Sequence, residues 1–282
     1  MPELPEVETI SRALRNGGRD APSIVGWKII SAQLRWPKTL AGPSWIEFQN
    51  KIIDQQVLDI HRRGKFIVIH LDNHFLVVHL RMSGDLRVEA DEQEIQKHDH
   101  LIIWFENGMH LAFNDPRKFG RVWLLDDVEP LFSQLGPEPF EIESAEYFHQ
   151  MLTKHNRQIK PLLMDQHFIS GMGNIYTDEA LHKANLHPLT NSSEISLAQA
   201  KNLINAIKEV LNLGIVRNGA SIDWFYRGGS FQNEFQVYGR NGLPCLNCGT
   251  LINKIVVGQR GTHYCPTCQP IFPSSNTKEM VG

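Results

Sequence analysis

The sequence predicts an α+β protein in which a strand-rich N-terminal part is followed by a helical part and a small cysteine-bounded hairpin. Three observations predict this class. Short apolar or alternating runs, divided by Gly, Asn and Asp turns, fill residues 24 to about 125. Helical spacing of apolar residues replaces that pattern from residue 143 to about 215. All four cysteines then lie in two Cys-x2-Cys pairs near the C-terminus.

The first predicted element is a helix near the N-terminus. Val7, Ile10 and Leu14 repeat with the spacing of one buried helical stripe. Pro5 suits the first turn, where its missing N–H would have had no partner, and glutamates suit the positive end of the helix dipole. Pro2 and Glu3 precede that helix, so helix formation leaves both of them unexplained.

The strand-rich part is predicted to be a β-sandwich that, with the N-terminal helix, forms a domain over residues 1–125. Its runs include FIVIHL, FLVVHLRM and HLIIWFENGMHLAF, and the Asn-Gly within ENGMH is a strong hairpin signal. From residue 122 to 153 the chain has no Lys or Arg but has seven acidic residues and three prolines. We interpret residues 126–142 as an acidic linker that no polyanion will contact.

Composition excludes some classes of protein. The chain has 282 residues, a formal net charge of −3 and 41% hydrophobic residues, which is ordinary for packed soluble domains. The N-terminus is acidic and lacks the apolar segment of a signal peptide. No apolar run approaches the roughly 18 residues that a membrane span needs. We therefore expect a cytoplasmic protein, whose charge outside the acidic stretch is modestly basic.

The cysteine pairs CLNC and CPTC are separated by 16 residues. Without a secretion signal a disulfide framework is disfavoured, whereas this spacing is typical of a zinc ion held by four thiolates. The predicted ligands are Cys245, Cys248, Cys265 and Cys268. Four protein ligands leave no open coordination position, so the one zinc ion has a structural role. The finger is predicted over 236–270, with a tail over 271–282.

Several basic motifs suggest contacts with a polyanion. HRRGKF (61–66) is a basic cluster that enters a strand, and NDPRKFGR (114–121) places Arg117 beside Phe119. An exposed aromatic ring next to an arginine suits insertion between bases, although Phe119 could instead fold inward. Gly171 and Gly173 precede a helix, where backbone N–H groups bind phosphate or where the glycines simply make a turn. Arg260 lies near the tip of the predicted finger hairpin. Together these features predict a protein that handles DNA.

Six segments closely resemble the formamidopyrimidine-DNA glycosylase family: MPELPEVET, HLRMSG, DPRKFG, GMGNIYTDEAL, VYGR and RGTHYCPTCQ. The resemblance runs from residue 1 to about 270. It implies a helix–two-turn–helix DNA-binding domain, predicted over 143–235, and a bifunctional glycosylase and abasic-site lyase of base excision repair that removes oxidised purines. The implied partner is double-stranded DNA that contains oxidised bases or abasic sites. We expect a monomer in the cytoplasm, associated with the nucleoid.

The resemblance implies an answer to the question that Pro2 raises. Removal of Met1 would leave Pro2 with a secondary amine that attacks the sugar of a damaged nucleotide. Glu3 would be the general acid that opens the sugar ring, and Glu6 would help to position the site. Lys65 matches the proton donor for β-elimination, and Arg260 matches the donor for δ-elimination.

The resemblance also implies DNA contacts. Met82, Arg117 and Phe119 would fill the space that a flipped nucleotide leaves. Phosphate or lesion-strand contacts are predicted for His79, His98, His155, Asn174 and Tyr238, besides Lys65 and Arg260. Many family members carry a basic residue before the IKP sequence. This chain has Lys154-His155 there, so a phosphate contact at His155 is weakened near neutral pH.

Two other functions fit the same scaffold. One is an enzyme with a pyrimidine-lesion preference, as in endonuclease VIII. The other is a DNA-binding or damage-sensing protein without catalysis, which would need neither Pro2 nor Glu3. A further hypothesis concerns the loop NGASIDWFYRGGSFQNEFQVYGR (218–240), in which Trp224, Phe225 and Tyr226 precede two glycines. We expect this loop to set base specificity without performing the chemistry.

Overall fold

The computed structural model describes residues 1–221 and 228–271. The chain divides into two compact units. The first consists of Met1–Leu135 and Leu213–Gln232, and the second consists of Gly136–Asn212 and the described residues from Asn233 onward. Trp224, Phe225, Tyr226 and Arg227 of the predicted specificity loop lie outside the described residues. Among the residues that are described, no helix has the length and apolar character needed to span a membrane.

The first unit contains three helices and nine strands among its described residues. In chain order these are α1 (Leu4–Asn16), β1 (Ile29–Leu34), β2 (Leu40–Gly42), α2 (Trp45–Ile52), β3 (Val57–Arg63), β4 (Phe66–Leu71), β5 (Phe75–His79), β6 (Asp85–Ala90), β7 (Asp99–Phe105), β8 (Met109–Asn114), β9 (Arg121–Leu125) and α3 (Glu129–Phe132). One sheet has the strand order β1-β7-β8-β6 and the other has the order β2-β9-β5-β4-β3. All neighbouring strands are antiparallel except β2 and β9.

The two sheets share one apolar core, as the predicted sandwich requires. Leu76 and Val78 of β5 belong to the same buried cluster as Leu111 and Phe113 of β8. Helix α1 adds the predicted stripe of Val7, Ile10 and Leu14 to this cluster. The period of two along each strand places the intervening side chains on the outer face. The predicted α+β class and the N-terminal sandwich are therefore confirmed.

The outer face of the five-stranded sheet is also covered. Val68 of β4 and Val77 of β5 point away from the main core and pack in a second cluster with Phe132 of α3. Phe132 falls within the range 126–142 that we interpreted as a linker. That acidic segment therefore also contributes a short helix whose apolar side covers the sheet.

The second unit is mostly helical. Its elements are α4 (Ala145–Thr153), α5 (Ile159–Met164), α6 (Asn174–Lys183), α7 (Leu197–Val216), whose last residues belong to the first unit, β10 (Asn253–Val257) and β11 (Arg260–Tyr264). The side chain of Ser144 caps α4 by accepting the backbone N–H of Tyr147 at 3.1 Å. Strands β10 and β11 form the antiparallel hairpin predicted around the cysteines.

Helix α6 differs from a surface helix because it is buried from Ile175 to His182, polar residues included. Asp178 is 1% exposed and Glu179 is 3% exposed. A buried carboxylate needs partners, because an unpaired one costs several kcal/mol of folding free energy. Both groups accept backbone N–H groups of the finger segment, 236–270, and Asp178 is also paired with Lys160 of α5.

Candidate functional site

The N-terminal residues form a closed hydrogen-bonded arrangement. Pro2 is buried, Glu3 is 2% exposed and Glu6 is 3% exposed. One carboxylate oxygen of Glu6 (Oε2) accepts the backbone N–H of Glu3 at 2.8 Å. The other (Oε1) accepts the backbone N–H of Ala220 at 2.7 Å. A single carboxylate therefore joins the start of the chain to a segment more than two hundred residues later.

That later segment is the base of the predicted specificity loop. Gly219 has φ +78°, and a Cβ there would lie 2.6 Å from Glu6 Oε1 and 2.7 Å from Glu6 Cγ. A Cβ on Gly229 would lie 2.2 Å from the carbonyl oxygen of Gly219. The backbone N–H of Phe231 donates to that same carbonyl at 2.9 Å. Only glycine fits at both positions, because the two sides of the loop base and Glu6 are in direct contact.

Lys65 and His79 lie close together at one end of the five-stranded sheet. Lys65 follows Gly64 in the turn between β3 and β4 and is 5% exposed. His79 Nδ1 accepts the backbone N–H of Arg81 at 3.0 Å, which leaves Nε2 as the protonated nitrogen of a neutral ring. Burial, with smaller effects of the nearby Arg81 and Lys65 charges, lowers the pKa of His79 to about 3. His79 is therefore a neutral hydrogen-bond donor at physiological pH.

The DPRKFG turn has the predicted arrangement. Phe119 is 49% exposed, and the Arg117 guanidinium carbon lies 5.2 Å from the centre of its ring. Phe119 therefore does not fold inward. Met82 is half-buried in the neighbouring turn after β5, and His98 is half-buried next to β7. These side chains all belong to the first unit.

In the second unit, the start of α6 contacts the finger hairpin. Asn174 donates through Nδ2 to the carbonyl of Gly261 at 3.1 Å, next to the exposed Arg260. Lys160 is fully buried, and its Nζ donates to Asp178 Oδ1 at 2.6 Å and to the same Gly261 carbonyl at 3.2 Å. The other oxygen of Asp178 accepts the backbone N–H of His263 at 2.9 Å.

Glu179 binds the first residues of the finger segment, ahead of the cysteine pairs. Its carboxylate accepts three consecutive backbone N–H groups, from Gln236 at 2.9 Å, Val237 at 3.0 Å and Tyr238 at 2.8 Å. Burial raises the pKa of Glu179, and the three donors oppose that shift. The Tyr238 ring packs edge-on against the ring of His263, with 5.1 Å between centroids. The carboxylates of α6 thus hold the backbone before the first cysteine pair and between the two pairs.

Sequence reasoning missed Lys160, Asp178 and Glu179 as site-building residues. The available signal was a pair of adjacent acidic residues within the apolar helix TDEAL, which indicates buried carboxylates with partners elsewhere.

His155, by contrast, was predicted from the sequence as a DNA contact, and in the structure its ring packs edge-on against the ring of Phe168, with 5.4 Å between centroids.

The four cysteines converge at one point of the second unit. Their sulfur atoms all lie within 4.8 Å of one another, with 3.9 Å between Cys245 and Cys268 and 3.5 Å between Cys248 and Cys265. Zn–S bonds of about 2.3 Å in a tetrahedron place sulfurs about 3.8 Å apart, so the four residues fit one zinc ion. His182 Nε2 lies 3.7 Å from the Cys245 sulfur, where its N–H can orient that ligand.

The described chain thus combines a sandwich that has an N-terminal helix, a helical unit and a four-cysteine finger. Three family models match successive parts of the chain. They are the formamidopyrimidine-DNA glycosylase N-terminal domain over residues 1–122, its H2TH domain over 135–225, and the zinc finger found in FPG and IleRS over 242–271. The chain belongs to the formamidopyrimidine-DNA glycosylase family.

Individual relatives agree with this assignment. The formamidopyrimidine-DNA glycosylase of Protochlamydia amoebophila is 42% identical over 279 residues, which cover 95% of this chain and 99% of that protein. The Herpetosiphon aurantiacus protein of the same name is 41% identical over 278 residues, which cover 95% and 100%. The resemblance seen in the motifs is therefore confirmed.

Solved structures give the same result. A mutant Lactococcus lactis FPG in complex with Fapy-dG-containing DNA matches with a TM-score of 0.89 and 38% identity, over 96% of this chain and 100% of that one. A complex between Lactococcus lactis Fpg and DNA containing an abasic site matches with a TM-score of 0.88 and 37% identity, over 95% and 100%.

Proposed function

We propose that this protein is a bifunctional DNA glycosylase and abasic-site lyase of base excision repair. Its substrates are oxidised purines, namely 8-oxoguanine and formamidopyrimidines, in double-stranded DNA. Family membership supports the reaction class. The observation that carries the chemistry is the N-terminal arrangement, in which Pro2 and Glu3 are both buried and Glu6 accepts the backbone N–H of Glu3, in the peptide that joins Pro2 to Glu3. Glu3 and Glu6 also form a capping box that stabilises the start of α1, so what distinguishes an enzyme from a protein that only binds DNA is the amine of Pro2 beside Glu3.

The reaction begins with the amine of Pro2 after removal of Met1. The nitrogen forms a bond to C1′ of the damaged nucleotide, and the bond from C1′ to the base breaks. Glu3 gives a proton to the sugar ring oxygen, so that the C1′–O4′ bond opens and a cationic iminium forms. A secondary amine suits this step because its iminium is already charged and acts as an electron sink without further protonation.

The same covalent intermediate then supports both strand breaks. Loss of a proton from C2′ expels the 3′ phosphate, and a second elimination expels the 5′ phosphate, so that a one-nucleotide gap remains. We assign Lys65 to proton transfer in the first elimination and Arg260 to the second. The assignment of Lys65 is supported by its burial beside His79, at the end of the sheet that shares its core with α1.

Base extrusion must precede this chemistry, at a cost of about a few kcal/mol for unstacking and unpairing. Met82, Arg117 and Phe119 fill the space that the flipped nucleotide leaves. Phe119 is the wedge, since its ring is half-exposed, and Arg117 pairs with the orphaned cytosine. His79 contacts the lesion strand as a neutral donor, so this contact is retained between pH 6 and 8.

The second unit supplies the remaining contacts. Asn174 stands at the first position of α6, where the helix dipole favours an anion, and its amide side chain is already aligned by Gly261. His98, His155 and Tyr238 are the further proposed contacts. One zinc ion, held by the four cysteine thiolates, supplies folding energy to the hairpin that bears Arg260. We further propose that the enzyme acts as a monomer in the cytoplasm, where it associates with the nucleoid.

Borohydride trapping tests the covalent step. The protein should form a reducible crosslink with an oligonucleotide that contains an abasic site. A duplex with a tetrahydrofuran analogue, which lacks the aldehyde, is the matched control and should form none. Mass spectrometry of the crosslinked peptide should place the adduct on Pro2 as the first residue. An adduct on a lysine, or full lyase activity in protein that retains Met1, would falsify the mechanism.

The substrate class requires a second measurement. Single-turnover excision should be faster for 8-oxoguanine opposite cytosine than for an oxidised pyrimidine in the same sequence. The opposite order would assign the protein to the pyrimidine-lesion function, as in endonuclease VIII.

A further inference from the structure

Asp115 begins the turn that carries Arg117 and Phe119, and it is fully buried. Its Oδ1 accepts the hydroxyl of Ser83 in a short hydrogen bond and also faces the backbone N–H of Arg117 at 3.2 Å. Its Oδ2 accepts the backbone N–H of Gly120 at 2.7 Å. One carboxylate therefore binds the turn immediately before and immediately after the exposed side chains.

The partner hydroxyl belongs to a different loop. Ser83 is 2% exposed and directly follows Met82. Its Oγ also accepts the backbone N–H of Arg117 at 3.2 Å, so it touches both the carboxylate and the turn. The pair of Asp115 and Ser83 consequently joins the loop of Met82 to the loop of Arg117 and Phe119.

The backbone around this pair has little room to shift. A Cβ on Gly84 would lie 2.5 Å from the carbonyl oxygen of Leu80, and a Cβ on Gly120 would lie 2.3 Å from the ring of Phe113. Gly84, two residues after Met82, and Gly120, directly after Phe119, therefore both lie close to the Phe113 ring of the sandwich. Because the backbone is closely packed here, losing one of these hydrogen bonds should reorient the turn and its exposed side chains.

The backbone groups of Asp115 are used as well. Its N–H donates to the carbonyl of His98 at 2.9 Å, and its carbonyl faces His100 Nε2 at 2.8 Å and accepts the N–H of Lys118 at 3.1 Å. Lys118 has φ +61° and places its ammonium 3.9 Å from the centre of the Trp36 ring. The turn thus directs Lys118 towards Trp36 and leaves Arg117 beside Phe119.

We propose that Asp115, acting with Ser83, is the positioning residue that sets the mutual placement of Met82, Arg117 and Phe119. This inference rests on the proposed function, in which those three side chains fill the space of the extruded nucleotide. Asp115 is enclosed by protein, so it touches no DNA and acts through the two turns. A wedge that enters a base stack must be rigid, because disorder in the free protein has to be removed on binding.

The test compares two substrates, 8-oxoguanine in a duplex and a pre-formed abasic site, in single-turnover reactions. Only the first requires a base to be extruded. Asp115→Asn keeps the shape but replaces an acceptor by an NH2 group, and Ser83→Ala removes the shared hydroxyl. We expect each variant to slow excision of 8-oxoguanine about 10- to 100-fold, the effect of one lost charge-assisted hydrogen bond. Cleavage of the abasic site should stay within about 3-fold of the parent.

Asp99→Asn is the matched control. Asp99 is equally buried in the same sandwich and accepts Arg87 Nη2 at 2.8 Å, Asn114 Nδ2 at 2.8 Å and the N–H of Gln96 at 2.7 Å. This variant should lose stability without changing the ratio of the two rates. If the Asp115 and Ser83 variants change that ratio no more than the control does, they are merely structural and the inference is overturned.

A double variant separates this inference from the proposed function. Phe119→Ala should reduce excision by itself, but it should add little in the Asp115→Asn background, where the wedge is already misplaced. Full additivity of the two losses would refute positioning by Asp115. If Phe119→Ala alone leaves excision unchanged, the wedge itself is wrong. If Phe119→Ala slows excision but Asp115→Asn does not, the proposed function is retained and only the positioning role of Asp115 is refuted.

Discussion

Gly219→Ala is the substitution that tests most directly how the loop base controls the N-terminal site. The new Cβ would lie 2.6 Å from Glu6 Oε1 and 2.7 Å from Glu6 Cγ, well inside van der Waals contact. Gly108→Ala provides a matched control. Gly108 has φ +75° against +78° for Gly219, it lies in the exposed turn between β7 and β8, and a Cβ there meets nothing within 4 Å.

The two substitutions share one cost and differ in another. An alanine in the left-handed region costs about 1–2 kcal/mol, and both variants lose this amount. In Gly219→Ala the Glu6 carboxylate must also move away from the N–H of Ala220, which it accepts at 2.7 Å. A hydrogen bond to a buried charged group contributes about 1.5–3 kcal/mol. The expected losses of unfolding free energy are therefore about 2.5–5 kcal/mol for Gly219→Ala and about 1–2 kcal/mol for the control.

The same displacement should reach the chemistry, because the other oxygen of Glu6 accepts the N–H of Glu3 beside Pro2. Borohydride trapping on an abasic site should slow about 10- to 100-fold in Gly219→Ala and stay near the parent rate in Gly108→Ala. Urea unfolding and trapping rates are measured on both variants. Equal losses of stability and equal trapping rates would refute the coupling through Glu6.

Three further predictions concern other parts of the molecule. Cys248→Ser should abolish stoichiometric zinc binding and weaken DNA binding while the sandwich stays folded. Metal analysis and fluorescence anisotropy measure the two effects, and a normal DNA affinity without metal would show that the finger does not contribute to binding. Glu179→Gln should lower the unfolding free energy by about 1–3 kcal/mol, because an NH2 donor replaces one of the oxygens that accept the N–H groups at 236–238. The control Glu209→Gln, at an exposed ion pair with Lys183, should lower it by less than about 0.5 kcal/mol in the same urea measurement. The pKa of His79 is lowered from 6.5 to about 3, so between these pH values the ring is protonated in the unfolded chain but neutral in the folded protein. The stability that depends on the neutral ring is therefore complete above about pH 7.5 and is lost as the pH falls below 6.5. At pH 5 this loss should be about 2 kcal/mol, and it should be absent from His79→Gln. Urea unfolding of both proteins at pH 7.5 and 5.0 measures it, and an equal loss of stability in the two proteins would contradict the prediction.

Local patterns in the sequence were sufficient for the N-terminal helix, the sandwich and the metal site. The spacing of Val7, Ile10 and Leu14 predicts the buried face of α1, because a helix returns to the same side every 3.6 residues. Alternation of apolar and polar residues along the strands predicts the sandwich, because successive side chains of a strand point to opposite faces of the sheet. The cysteine spacing predicts a zinc site because the ligands come from two short turns whose geometry is set within a few residues.

Other features depend on contacts between distant parts of the chain. The bond between Glu6 and Ala220 joins residues 214 apart, and the bond between Asp178 and His263 joins residues 85 apart. The sequence marks Glu6 as a helix-start glutamate and Asp178 as a helix residue, and both descriptions are correct but incomplete. Neither pattern indicates which backbone N–H will face the carboxylate.

The sequence by itself therefore determined the class of the protein, its N-terminal helix and sandwich, its metal ligands and the motifs of its family. The tertiary structure alone decided that Asp115 would unite two turns, that Glu179 would hold three backbone N–H groups, and that Gly219 would lie against Glu6. The physical reason is that periodicity and ligand spacing are local properties of a chain. The partner of a buried carboxylate is chosen only when folding removes water from it and brings distant donors within about 3 Å.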